Sequence, residues 1–156
     1  MNKKEKTKEN LCAFYANDNH FEMISLPYIA KNIEENKEIV ILTENNLEET
    51  TKNILSISNM EKDKKENILK LNWKNEDLNK FKQIKANNEK DMIIFIKGKT
   101  NYIKNINNNI TKWISKENNI KIIDCYDFEE NAKNIETVVK KYNTILKTNG
   151  ENKINK

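Results

Sequence analysis

The sequence predicts an α/β protein, a three-layer sandwich around a mainly parallel five-stranded sheet. Three observations carry that prediction. Runs at 11–15 (LCAFY), 38–43 (EIVILT), 91–96 (DMIIFI) and 120–126 (IKIIDCY) are apolar on both faces and mostly β-branched or aromatic, the pattern of strands covered on both sides. Segments with helical spacing lie between them, and parallel strands need such crossovers. The 156 residues show no linker, repeat or composition break, so they read as one domain with its own core.

In chain order, residues 1–9 (MNKKEKTKE) are charged and lack an apolar face, which predicts a disordered tail before a single domain at 10–148. The first strand, 11–15, runs into ANDNH at 16–20, a loop of turn and N-cap residues that starts a helix reaching about Glu35. Phe21, Ile24, Tyr28, Met23, Leu26, Ile29 and Ile33 form its apolar stripe. Pro27 removes one backbone hydrogen bond and is expected to kink it. Asn36 suits a left-handed cap before the second strand, 38–43. Asn45 or Asn46 caps a helix over 47–56, 62–66 reads as a charged loop, and 68–71 as a short third strand at an edge. A polar helix over 75–85 is held by Leu78, Phe81 and Ile84.

The fourth strand, 91–96, turns through 97–100, with Thr100 as cap, into a helix over 101–116 whose buried stripe is Ile103, Ile106, Ile110, Trp113 and Ile114. The fifth strand, 120–126, precedes a last helix over 131–147 that buries Ile135, Val138, Val139, Tyr142, Ile145 and Leu146, and 149–156 is a disordered tail. The cluster Ile120, Ile122 and Ile123 places the fifth strand inside the sheet. This favours the order 3-2-4-5-1 over 2-1-3-4-5, in which that strand would be an edge, where sheets tend to carry charge or breaks. Cys12 and Cys125 then fall on neighbouring strands.

The formal charge of +4 is spread: every basic residue is Lys, acidic residues are interleaved with them, and Lys, Asn and Ile dominate together. Phosphate recognition favours clustered cations and forked Arg contacts, so no nucleic-acid partner is expected. No apolar run approaches membrane-spanning length and no secretory signal is visible, so a cytoplasmic protein without a membrane partner is expected. The two cysteines, Cys12 and Cys125, each lie in an apolar run and read as buried thiols.

Ligands of open α/β sheets sit where loops leave the carboxyl ends of the strands, here 16–20 and 43–46. Tyr15, Asn17, His20, Glu44 and Lys97 are therefore the candidate ligand-binding residues: a phenol, an amide, the only imidazole, a carboxylate and an ammonium near those ends. Each also has a plain structural use, in packing, turn formation or capping. No complete catalytic constellation and no metal-ligand spacing appear, so neither an enzyme nor a cofactor or metal is expected. Gly98-Lys99-Thr100 looks like the tail of a phosphate-binding loop, but Ile93 stands where that loop needs its first glycine. Residues 16–20 contain neither glycine nor lysine, so hydrolysis of a nucleotide at that loop is not expected.

The LCAFY strand, the polar turn, Pro27-Tyr28-Ile29 and the crossover NIEENKEIVILTENN together resemble the MEDS (methanogen/methylotroph sensory) domain. Cys12, Phe14 and Tyr15 match its His-x-Cys-x-Phe-Tyr opening, Pro27 and Tyr28 its Pro-Phe-hydrophobic element, and Asp124-Cys125-Tyr126-Asp127 its Cys-x-Tyr-Asp ending. Asn10 replaces the family's His, and Asn32 and Asn36 its two glycines. MEDS domains resemble degenerate RecA and KaiC-type ATPases. The resemblance thus implies a RecA-like order 3-2-4-5-1 (the flavodoxin-like order being 2-1-3-4-5), a degenerate P-loop and a sensory or signal-relay role. The expected partner is a small molecule or a signalling protein such as a histidine kinase or a transcription regulator. Two alternatives stay open: a residual nucleotide-binding RecA-like ATPase using Glu44 with Lys97 or Lys99, and a redox switch of Cys12 and Cys125.

Overall fold

Strands that are apolar on both faces must be covered on both, and the computed structural model of the chain, which describes residues 8–75, 90–112 and 119–155, shows what covers them. The elements are β1 (Lys8–Tyr15), α1 (Asp18–Glu34), β2 (Glu38–Thr43), α2 (Glu48–Ile57), α3 (Lys62–Leu69), β3 (Met92–Gly98), α4 (Thr100–Thr111), β4 (Ile120–Asp127), α5 (Phe128–Asn131), α6 (Ile135–Val139), β5 (Thr144–Lys147) and β6 (Gly150–Lys153). They build a six-stranded mixed sheet of order β2-β3-β4-β1-β5-β6, parallel throughout except for the antiparallel β5–β6 hairpin.

One sheet face packs Ala13, Ile39, Ile41, Ile93, Phe95, Ile123 and Cys125 against Phe21 and Ile29 of α1, Leu55 of α2 and Ile68 of α3. The other packs Cys12, Val40, Ile94, Ile96 and Ile122 against Ile103, Ile106 and Ile110 of α4 and Val138 of α6. Alternate residues of one strand thus serve two cores, which is why these runs carry no polar face.

Without the expected third strand, the order 3-2-4-5-1 is the observed succession β2-β3-β4-β1. The alternative 2-1-3-4-5 is not formed, since β2 pairs with β3 and β1 with β4. Cys12 and Cys125 lie on neighbouring strands, in register with Asp124 and Ala13 respectively.

Several expectations are corrected. Residues 62–71 form helix α3 and its exit rather than a loop and a strand: Ile68 alone is fully buried there, while Lys64 pairs outward with Glu34 at 2.9 Å. A single buried anchor in a run of Lys, Asp and Glu is satisfied by one helical turn, and a buried strand would need more. The expected last helix breaks into α5 and α6 and then becomes β5. The sheet wins there because β1 has a second edge whose backbone groups need partners, and Thr144–Lys147 supplies them. The expected tail at 149–156 contains β6, held by a turn in which Gly150 adopts φ +106°, a conformation that glycine holds without steric cost, and by Ile154 N–H donating to Asn143 C=O at 2.9 Å. β1 likewise begins at Lys8, inside the expected tail 1–9. Pro27 lies inside helix α1, which spans Asp18–Glu34 as one element. The polar helix expected at 75–85 lies, past its first residue, outside the described residues, as do Trp113 and Ile114.

Asn36 fulfils the left-handed role, with φ 62°. Its N–H donates to Ile33 C=O at 2.9 Å and that of Lys37 to Asn32 C=O at 3.0 Å, the paired bonds of a Schellman ending. Asn36→Ala is expected to cost about 1 kcal/mol in urea unfolding, and Asn36→Gly to match or exceed the parent stability.

Candidate functional site at the carboxyl ends of the strands

Helix α1 starts where it does because Asn17 is extended (φ −159°, ψ 178°) and its Oδ1 accepts the His20 N–H at 2.8 Å. His20 Nδ1 in turn accepts the Ala16 N–H at 2.8 Å, which leaves the proton of the neutral ring on Nε2. Two of the sequence-predicted residues are therefore turn-formers that close the first loop on itself.

Lys97, at the end of β3, has a side chain only 3 % exposed. A buried ammonium costs several kcal/mol unless it is paired, and the surroundings meet that demand. Its Nζ lies 2.9 Å from Asp18 Oδ1, donates to Asn45 Oδ1 at 2.9 Å, and stands 4.5 Å from the centre of the Tyr15 ring and 5.5 Å from that of Phe21. Asn45 Nδ2 completes the ring of contacts by donating to Asp18 Oδ2 at 3.2 Å. The ends of β1, β2 and β3 and the first turn of α1 are thus joined through one cation. Tyr15 and Lys97, two of the sequence-predicted residues, are brought together here. Asp18 and Asn45, which the sequence reading used only as turn and cap residues, complete the cluster.

Glu44 takes a different part. Its Oε1 accepts the Lys99 N–H at 2.9 Å, so it holds the start of α4 rather than joining the Lys97 cluster. The approach is close: a Cβ on Gly98 would lie 2.7 Å from Tyr102 Cδ1 and 2.9 Å from Glu44 Oε1. Thr100, expected to cap this helix, is its first residue instead, and both its N–H and its hydroxyl donate to Glu130 Oε1 at 2.8 Å. The Thr100 N–H holds the Glu130 carboxyl below its ordinary pKa. Two amides of the segment that resembles a phosphate loop, those of Lys99 and Thr100, are therefore engaged by two carboxylates of the chain itself.

The residue the sequence reading missed is Glu22. It lies on α1 one turn past Asp18 and is fully buried, and among the described residues no group is placed to hydrogen-bond either carboxyl oxygen in good geometry, although the Thr50 side chain is near enough to offset part of the burial; Ser25 Oγ and Thr51 Oγ1 likewise have no partner there. The Thr50 hydroxyl, which faces it from α2, donates to Leu47 C=O at 3.2 Å. Burial raises the Glu22 carboxyl pKa. The signal was a spacing: Glu22, Ser25, Ile29 and Asn32 form a helical stripe, and all four are buried.

On the other sheet face, Asp124 is 2 % exposed and accepts hydrogen bonds from Asn107 Nδ2 at 2.8 Å, Asn10 Nδ2 at 3.3 Å and Tyr142 Oη at 2.7 Å, with Tyr126 Oη 2.6 Å from Tyr142 Oη. Desolvation raises its pKa. Cys12 shares this face, its thiol pushed up to about 12 by burial and then by Asp124, whereas Cys125 points to the α1 face, its thiol also raised by burial. The two sulfurs are neighbours in register but lie on opposite sides of the sheet, and a direct disulfide needs both Cβ atoms within about 4.5 Å on one side. Among the described residues no cluster of three His, Cys, Asp or Glu side chains is placed to hold a metal ion, and no helix is long and apolar enough to cross a membrane.

Comparison with known proteins returns no match, whether to family models, to curated proteins or to solved structures.

Two stability tests follow from this geometry. Because the folded pKa of Glu22 lies above its unfolded value, its penalty is absent below the ordinary carboxyl range and grows as pH rises through the raised value. Glu22→Gln should therefore raise thermal stability at pH 7 by about 1–3 kcal/mol, with the gain shrinking toward pH 4 in parallel melts. The Lys97 pair should be asymmetric. Asp18 is 36 % exposed and can regain water, whereas Lys97 cannot. Asp18→Ala should thus cost about 3 kcal/mol, more than Lys97→Met, in chemical denaturation.

Proposed function

We propose that this chain is a non-enzymatic sensory or signal-relay module of MEDS-like type, working in the cytoplasm and meeting a signalling protein through the face at the carboxyl ends of its parallel strands. The observation that carries the reading is the Lys97 cluster: the ammonium, carboxylate and amide that would otherwise grip a small charged ligand bind one another, and so present a pre-organised surface. Such a surface suits docking, because little side-chain freedom remains to be lost. Phe128, 47 % exposed directly after β4, adds an aromatic anchor at the same end of the sheet. A histidine kinase or a transcription regulator is the class of partner that the MEDS resemblance implies.

The succession β2-β3-β4-β1 also fits the RecA-like relation, and one observation favours residual nucleotide binding: Gly98-Lys99-Thr100 does stand at a strand-to-helix junction. Against it, Glu44 and Glu130 occupy the amides there and would repel phosphate. Thermal melts with millimolar ATP and Mg²⁺ decide between the two. The expected outcome is no stabilisation. A clear rise in Tm, together with phosphate release that is lost in Glu44→Gln, overturns the proposal in favour of the ATPase. Binding of a purified kinase or regulator encoded beside this chain, weakened at least about tenfold by Phe128→Asp, is the positive result expected.

A further inference from the structure

Away from the carboxyl-end face, a groove of about 520 Å³ runs between α1 and the β5–β6 hairpin. Pockets that take small molecules span about 300–1,000 Å³, and this groove sets apolar Ile24, Pro27 and Tyr28 beside the polar groups of Lys31, Thr148, Asn149 and Glu151. Ile24, Pro27, Tyr28 and Lys31 line one wall at the i, i+3, i+4 and i+7 positions of α1, three apolar residues followed by a cation. The turn around Gly150 forms the other wall.

The charges of the groove are unequal. Glu151 Oε2 accepts both from Tyr28 Oη and from Lys121 Nζ at 2.8 Å, so its charge is offset and its position is held. Glu35, one turn beyond Lys31, is paired with Lys37 at 3.3 Å. Lys31 is exposed and has no ion-pair partner among the described residues. One uncompensated ammonium therefore stands at the end of an apolar stripe.

We propose that this groove binds a small organic carboxylate with an apolar body, aromatic or branched aliphatic. Its anionic group pairs with Lys31, and its body rests on exposed Pro27 and the narrow uncovered edges of the otherwise buried Ile24 and Tyr28. The inference does not depend on the docking role of the carboxyl-end face, which lies beyond the groove at the N-terminal end of α1.

The test uses the ¹⁵N-labelled full chain with phenylacetate as probe and phenylacetamide as its uncharged counterpart. Titration with phenylacetate should move the amide signals of Lys31, Gly150 and Glu151 in a saturable way. Affinity should fall at least about fivefold for phenylacetamide, and by a similar factor for phenylacetate with Lys31→Met, as loss of one exposed charge contact predicts. Pro27→Glu, which restores a helical N–H while setting a carboxylate on the groove floor, should abolish binding in a chain that still folds. Shifts confined to other parts of the sheet, no shifts at all, or equal affinity for the acid, the amide and the Lys31→Met chain would each overturn the proposal.

Discussion

Asp124 sets the terms for the middle of the fold. A carboxyl group at the centre of a sheet, 2 % exposed, must find donors within the protein to offset the cost of its burial. The donors come from three places far apart in the chain: Asn10 on β1, Asn107 on α4 and Tyr142 between α6 and β5. Tyr126 follows two residues later on the same strand and ties to Tyr142, while its ring stacks on Phe14 of β1 at 5.7 Å. With that network satisfied, β1 cannot slide against β4, and α4 cannot roll without exposing Asn107 or stranding the carboxyl. The register of the central strand pair and the seating of one helical layer are a single polar problem with a single solution.

The opposite face solves its problem less completely. The Lys97 cluster joins three strand ends and a helix start with its ammonium, carboxylate and amide paired, yet one turn further along α1 Glu22 is buried with no well-aligned hydrogen-bond donor among the described residues. Proteins commonly hold unfavourable ionisable groups where function requires them. Glu22 lies directly behind the face proposed for docking, on the helix that Asp18 ties to the sheet. A displacement of α1 or α2 that admitted water to this carboxyl would be favoured by its ionisation.

How much of this was legible follows from which forces are local. The four long strands and the Asn36 ending could be read directly, since burial on both faces and left-handed capping each leave a mark within a few residues. Alternating helices and an apolar fifth strand were enough to order those four strands. The hairpin was misread because Ile135, Val138, Val139, Tyr142, Ile145 and Leu146 keep a helical period while the deciding influence, the open edge of β1, lies more than a hundred residues away. The turn at Asn149-Gly150 was the local clue. At the site, the positions of Tyr15, Asn17, His20, Glu44 and Lys97 followed from the topology, but their partners did not: no spacing in the sequence links Lys97 to Asp18 or Asn45. Glu22 was hidden by the habit of counting only apolar residues along a helix face.

The placing of Cys12 and Cys125 on opposite sides of the sheet, each sealed in a core and each with a thiol that resists ionisation, has a practical side. Alkylating reagents act on the thiolate, so the folded chain is expected to react only slowly with maleimides at neutral pH without any native cysteine being replaced. A single cysteine introduced at an exposed position would become the sole attachment point for a dye or spin label. Paired labels on the hairpin and on α2 would then turn the spacing across α1 into a distance that can be followed in solution.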